Sequence, residues 1–155
     1  MTTEKRNEFI DMLYCSRAQA LEMIRLDNTV LECKCDVGET ALHYLAIENK
    51  IESVKYLISI GANINTFDST GETPLTQSIQ LGNDELTNEL IKLGADINQS
   101  DDDLNTPLHY ASQYGRIELI KKLLELKAEI KVNDLDELPV DVALPRKRKQ
   151  VEALF

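Results

Sequence analysis

Apolar positions in this chain fall at helical spacing in pairs of short stretches, and the pairs recur every 33 residues. Leu42, Leu45 and Ala46 open one such pair, Leu75 and Ile79 the next, Leu108 and Ala111 a third. Each stretch breaks at Asn49, Gly82 or Gly115, residue types that tolerate a left-handed backbone. A second apolar face follows: Ile51, Val54, Leu57 and Ile58, then Leu86, Leu90 and Ile91, then Ile117, Leu119, Ile120, Leu123 and Leu124. The pattern predicts a strand-turn followed by two short helices in every unit. The segments 64–67, 97–100 and 130–133 are left to project as extended arms and turns.

Residue chemistry marks where those helices begin and end. The phrases GETALHYLA, GETPLTQSI and LNTPLHYAS start at positions 38, 71 and 104. Thr40, Thr73 and Thr106 stand where a hydroxyl can accept the orphan N–H groups of a helix start. Pro74 and Pro107 follow at the first helical position, where a missing N–H removes no bond. Gly61 and Gly94 close the second helix with a left-handed cap, in the phrases IGANIN and LGADIN. Two positions depart. Lys127 replaces that glycine in the third unit, and Leu104 stands where the other turns have Gly38 and Gly71. Because a leucine at positive φ is strained, the turn at Leu104 is expected to be of another type.

Two phrases locked to one interval imply a stacked array, since a single such unit cannot bury its own apolar face. In its Thr-Pro-Leu-His segment and Gly-Ala-Asp/Asn-Ile-Asn closures the chain resembles the ankyrin-repeat family. The resemblance implies an all-α repeat solenoid of helix pairs with projecting β-turn fingers. It places full repeats at 36–67, 68–100 and 101–133 of a single domain spanning 1–155. Residues 1–35 resemble a degenerate N-terminal capping repeat, in which Phe9, Ile24 and Leu31 take the apolar register positions. Residues 134–155 resemble a shortened C-terminal one, with LPVDVA at 138–143 standing for its first helix and VEALF for its second. Wettable residues at both ends lead to the expectation of a whole, capped array. In the family the histidine at positions 43 and 109 bonds the backbone of a neighbouring repeat, which makes His43 and His109 structural and leaves Thr76 as the exception.

Charge then changes the picture. The formal net charge is -10, and Arg146, Lys147, Arg148 and Lys149 carry four of the 17 basic residues, so the rest is more acidic still. Such a body repels a phosphate backbone and disfavours nucleic-acid binding through its main surface, but attracts a basic protein. The Arg146–Lys149 run is read as the lip of the last repeat. No apolar run reaches the ~18 residues of a membrane span. Cys15, Cys33 and Cys35 leave one thiol unpaired in any scheme, and reduced thiols fit a cytoplasmic protein. No cysteine or histidine set suggests a metal, no glycine-rich loop a nucleotide, and no activated nucleophile a reaction, so neither cofactor nor catalysis is expected.

The family's concave face is built from fingers and first helices. Carried over position by position, it assigns a partner to Asp36, Val37, Glu39, Ile47, Glu48, Phe67, Ser69, Thr70, Glu72, Gln80, Leu81, Ser100, Asp102, Asp103, Asn105, Gln113, Tyr114, Asn133 and Leu135, to which the acidic finger adds Asp101 and the first helix of the third repeat adds Tyr110. Asp101, Asp102 and Asp103 lack the alternating ligands of a calcium loop. They form either a solvated turn or a contact patch. Ile47, Leu81 and Tyr114 are expected to make an apolar ridge. The implied function is a non-catalytic protein-binding module, monomeric when free. In size, charge and architecture it is similar to ankyrin-type immunity proteins that neutralise basic toxins; a scaffold, retention factor or effector is the alternative.

Overall fold

The computed structural model describes residues 3–15 and 17–155, and its regular structure there is helical, with no strand. The helices are α1 (Thr3–Cys15), α2 (Arg17–Leu26), α3 (Ala41–Ile47), α4 (Ile51–Ser59), α5 (Pro74–Leu81), α6 (Asp84–Lys92), α7 (Pro107–Gln113), α8 (Ile117–Glu125) and α9 (Arg148–Glu152), with a 3-10 turn at Asn28–Glu32. The three second helices, α4, α6 and α8, have the same length and start 33 residues apart, as the apolar pattern requires. The chain divides into two compact units, one running to Pro74 and the other from Leu75 to Phe155.

In the first unit α1 packs on α2 and α3, and α3 on α4. Phe9, Ala20, Leu42, Leu45, Val54 and Leu57 form its core. The N-terminal segment contributes the helix pair α1 and α2. Phe9 and Leu31 are buried, and Ile24 is half-buried. In the second unit Leu86, Leu90, Leu108, Ala111, Ile120 and Leu123 lose all contact with water. The residues of the sequence's two apolar faces thus point inward in both.

Thr40 and Thr106 occupy the N-cap positions of α3 and α7 in extended backbone, and the histidine three residues on completes each capping box. Nδ1 of His43 accepts the Thr40 N–H at 3.1 Å, and Nδ1 of His109 accepts the Thr106 N–H at 3.1 Å. With Nδ1 accepting, the ring proton sits on Nε2. From there His43 donates to the Glu72 carbonyl and His109 to the Glu137 carbonyl, both at 3.1 Å. Each imidazole therefore ties a helix start to the finger one repeat further on.

Burial lowers the pKa of both rings, and the bond each Nε2 makes opposes that shift. Between 6.5 and the lower folded value the unfolded chain binds more protons than the native one, so native stability falls as the pH drops through that window. Urea midpoints are expected to decline from pH 7.5 to 5.5, and to decline less in His109→Gln. Parallel profiles for the two proteins would mean that the ring stays protonated or solvated in the fold.

Four fingers share one turn. Cys35, Asp68, Asp101 and Asn133 each donate an N–H to the residue four positions on, at 2.9–3.1 Å. Their own carbonyls accept from Gly38, Gly71, Leu104 and Asp136, all at positive φ. The expectation of a different turn at Leu104 is overturned. Leu104 has φ 61, against 80 at Gly71. Asp101 enforces this: its carboxylate accepts the N–H groups of Asp103 at 3.0 Å and Asn105 at 2.7 Å, closing the loop around the leucine. The left-handed conformation costs roughly 1–2 kcal/mol, which the clamp must outweigh. Lys127 likewise keeps the left-handed cap of the glycines it replaces, with φ 65.

The last repeat is shorter than the sequence suggested. Residues 138–143 form successive turns and no helix. Leu138 takes the place of the capping threonine, leaving no hydroxyl for the orphan amides. Asp141, in the histidine's place, still reaches back to the Leu138 N–H at 3.0 Å. The second-helix segment survives as the five residues of α9.

Candidate interaction surface

In the first unit the finger edge is held by polar bonds that partly use the residues assigned to a partner. Ser69 donates both its N–H, at 3.1 Å, and its hydroxyl, at 2.7 Å, to the Val37 carbonyl, joining two fingers. Asp68 accepts from the Thr70 N–H, the Thr70 hydroxyl and the Glu72 N–H, so its carboxylate faces its own turn. Helix α1 reaches the first finger: Thr3 donates to Asp36 at 2.8 Å, and buried Arg6 lies 3.5 Å from the Glu39 carboxylate and over the Tyr44 ring. Asp36, Ser69 and Thr70 remain exposed, as do Ile47 and Glu48, while Glu39 and Glu72 are half-buried. Two exposed apolar groups stand on this edge, Val37 at 56% and Phe67 at 52%. Lys34 lies over the Phe67 ring, 4.2 Å from its centre, and bonds the Phe67 carbonyl. That cation softens the acidity of the face, and the repeat register gives no sign of it.

In the second unit the Asp101–Asp103 cluster separates into two roles. Asp101 is 7% exposed and accepts the Tyr110 hydroxyl at 2.5 Å, besides the two backbone amides of its turn. Tyr110 is itself 8% exposed. Both were assigned to a partner, and both are buried against each other; the reason is that the carboxylate is the finger's internal clamp. Asp102 and Asp103 are exposed. Asn105 is half-buried and accepts from the Asn133 side chain at 3.1 Å. Asn133 is buried as the next finger's clamp, with its Oδ1 on the Leu135 and Glu137 amides. The Asp134 N–H joins the two fingers through the Asp103 carbonyl at 3.0 Å. On this edge Leu104 and Leu135 project, the latter 71% exposed, among Asp102, Asp103, Asp134 and Asp136. Leu104, Asp134 and Asp136 were not among the assigned residues. The signal that could have found them is the turn itself, once its four copies are aligned on Cys35, Asp68, Asp101 and Asn133.

On the first helices Gln80 is half-buried, and Leu81, Gln113 and Tyr114 are exposed. The expected ridge has a register fault. Ile47 corresponds to Gln80 and Gln113, whereas Leu81 and Tyr114 correspond to Glu48.

Cys33 is buried, which pushes its thiol pKa up, and both Cys33 and Cys35 are free. Cys15 lies outside the residues whose side chains are described. Among the described residues no group of three or more His, Cys, Asp or Glu is placed to hold a metal ion. No described helix is long and apolar enough to cross a membrane. In the Arg146–Lys149 run, Arg146, Arg148 and Lys149 are exposed and Lys147 is half-buried, and Arg148 pairs with Asp141 and Glu152.

A family profile described as ankyrin repeats (3 copies) matches residues 8–101 and 68–134. The chain is similar to the mouse SMC5-SMC6 complex localization factor protein 1, with 43% identity over 53 residues, 34% of this chain and 5% of that protein. It is 45% identical over 51 residues to the variola virus ankyrin repeat protein OPG189, which covers 33% of this chain and 9% of the viral protein. A putative ankyrin repeat protein of Rickettsia bellii (strain RML369-C) is 38% identical over 58 residues, 37% of this chain and 34% of that protein. The chain thus spans a small part of the length of these relatives.

Proposed function

Because the chain belongs to the ankyrin-repeat family, whose repeats are in general non-catalytic interaction modules, we propose that it binds a basic protein through the finger edges of its two units. The observation that carries this reading is the pairing of exposed apolar tips with exposed carboxylates: Leu104 and Leu135 among Asp102, Asp103, Asp134 and Asp136. Apolar anchors ringed by like charge supply what a desolvated contact with a cationic partner needs. Asp36 and Thr70 beside Val37, with Ile47, Glu48 and Phe67, extend the same chemistry to the first unit; Gln113, Tyr114 and Leu81 extend it on the second.

The mode we favour is occlusion: the acidic edge covers a cationic cleft, as an inhibitor or immunity protein of a basic toxin would, in the cytoplasm. A net charge of -10 would steer such a partner toward the chain and make association fall with salt. Tethering or retention of a regulatory protein is the alternative. It predicts partners of no particular charge.

The test joins capture and kinetics. Partners recovered from native cytosol should be few and basic, and Asp102→Lys/Asp103→Lys should slow association with them about tenfold or more at low salt. The thermal midpoint should stay within a degree or two, because both side chains face solvent and surface changes are worth about 0.5 kcal/mol or less. A neutral or acidic set of partners would favour tethering. An association rate insensitive to the double change removes the acidic edge from the function altogether.

A further inference from the structure

The second unit also holds a cationic cleft, away from the fingers, that runs against the sign of the whole chain. Its volume is about 510 Å³, and Arg116, Lys122 and Lys147 line it together with Asp84, Asn88 and Glu118. Arg116 is the N-cap residue of α8, and its side chain caps nothing. Its Nε is buried and finds no hydrogen-bond partner, and the guanidinium makes no ion pair among the described residues. A buried, unpaired N–H of a permanent cation is costly, because desolvation removes water without returning an acceptor.

The fold holds the guanidinium in place. It lies over Gly82, where a Cβ would stand 2.3 Å from Nη2. Lys147 is seated similarly on Gly115, where a Cβ would stand 2.7 Å from its Cγ. Lys122 is oriented by the Asn88 side chain, its Nζ 2.5 Å from Oδ1. Of the two carboxylates, Glu118 is turned to solvent and pairs with Lys121 at 2.8 Å. Asp84 alone is left against three cations. The first-turn amides of α8 add further donors on the same side.

We propose that this cleft binds a dianionic phosphate group, with the Arg116 guanidinium as the principal donor and Lys122 and Lys147 as flanking charges. A dianionic tetrahedral group offers the several acceptors that one planar guanidinium and two ammonium groups can share. The cleft has room for more than a bare ion, so the group can come free in solution or carried on a phosphorylated side chain. The proposal is independent of the finger-edge reading, since neither Asp102 nor Leu104 takes part.

The test uses the full chain labelled with nitrogen-15, titrated with inorganic phosphate and, separately, with N-acetyl-O-phosphoserine amide, against chloride at matched ionic strength. Expected are saturable shifts of the Arg116 Nε–H and of the Ile117 to Leu119 amides. Arg116→Gln should weaken binding about tenfold or more and leave the rest of the spectrum in place, because the Nε–H makes no bond within the fold. Gly82→Ala should weaken it too, by displacing Arg116. Tighter binding of the phosphoserine compound assigns a side-chain source, and equal or tighter binding of inorganic phosphate a free one. Shifts that chloride reproduces, or that persist in Arg116→Gln, overturn the proposal.

Discussion

Leu90→Ala is expected to lower the unfolding free energy by about 2–5 kcal/mol, the cost of a cavity left by a fully enclosed leucine. Leu90 has no exposed surface, and the residues at its register in the other second helices, Leu57 and Leu123, have none either. A domain of this size has a total stability of roughly 5–15 kcal/mol, so the loss is a large fraction of it. Stability in repeat proteins is approximately a sum of repeat and nearest-neighbour terms, so the defect should also weaken cooperation between adjacent repeats. Urea unfolding followed by circular dichroism measures the loss. Leu81→Ala is the control: Leu81 is 53% exposed, and its truncation should change the midpoint little. Equal effects at the two positions would mean that α6 does not bury the face its sequence presents.

That contrast also shows what could be read from the residues alone. Helix positions and inward faces were legible because the spacing of Leu86 and Leu90 is a direct consequence of burial on a 3.6-residue turn. Caps were legible because Thr40, Thr106 and the glycines satisfy local backbone needs that depend on few neighbours. The conformation of Leu104 was not, because a side chain elsewhere in the turn decides it. Propensity alone argues against a left-handed leucine, and the Asp101 clamp outweighs propensity. The helix expected at 138–143 failed for a similar reason. The apolar pattern persists there, but Leu138 supplies no capping hydroxyl, and the pattern cannot register that loss. Surface assignments suffered most. Register places a residue on a finger but does not say whether its side chain turns outward, as Asp102 does, or inward, as Asp101 does. The Arg116 cleft leaves no signature in the sequence, since its three cations are scattered along the chain and meet only in the fold.

Asp101→Ala should destabilise the protein by about 2–4 kcal/mol, far more than any change at Asp102 or Asp103. The carboxylate accepts from the Asp103 amide at 3.0 Å, the Asn105 amide at 2.7 Å and the Tyr110 hydroxyl at 2.5 Å. Removing it strands these donors in a site only 7% exposed, and hydrogen bonds to a charged acceptor are worth more than neutral ones. Two effects limit the loss. Water can reach part of an opened finger, and Leu104, released from φ 61, recovers roughly 1–2 kcal/mol of backbone strain. Asp101→Asn should be much milder. Asn133 already holds the next finger through one oxygen on the Leu135 and Glu137 amides, both at 3.0 Å, so an amide oxygen suffices for the backbone. The Tyr110 hydroxyl could then accept from the new amide nitrogen in place of donating. Denaturation midpoints should therefore rank wild type first, Asp101→Asn close behind, and Asp101→Ala well below both. If alanine and asparagine destabilise alike, the charge on Asp101 is what matters, and the turn is held by its own backbone bonds.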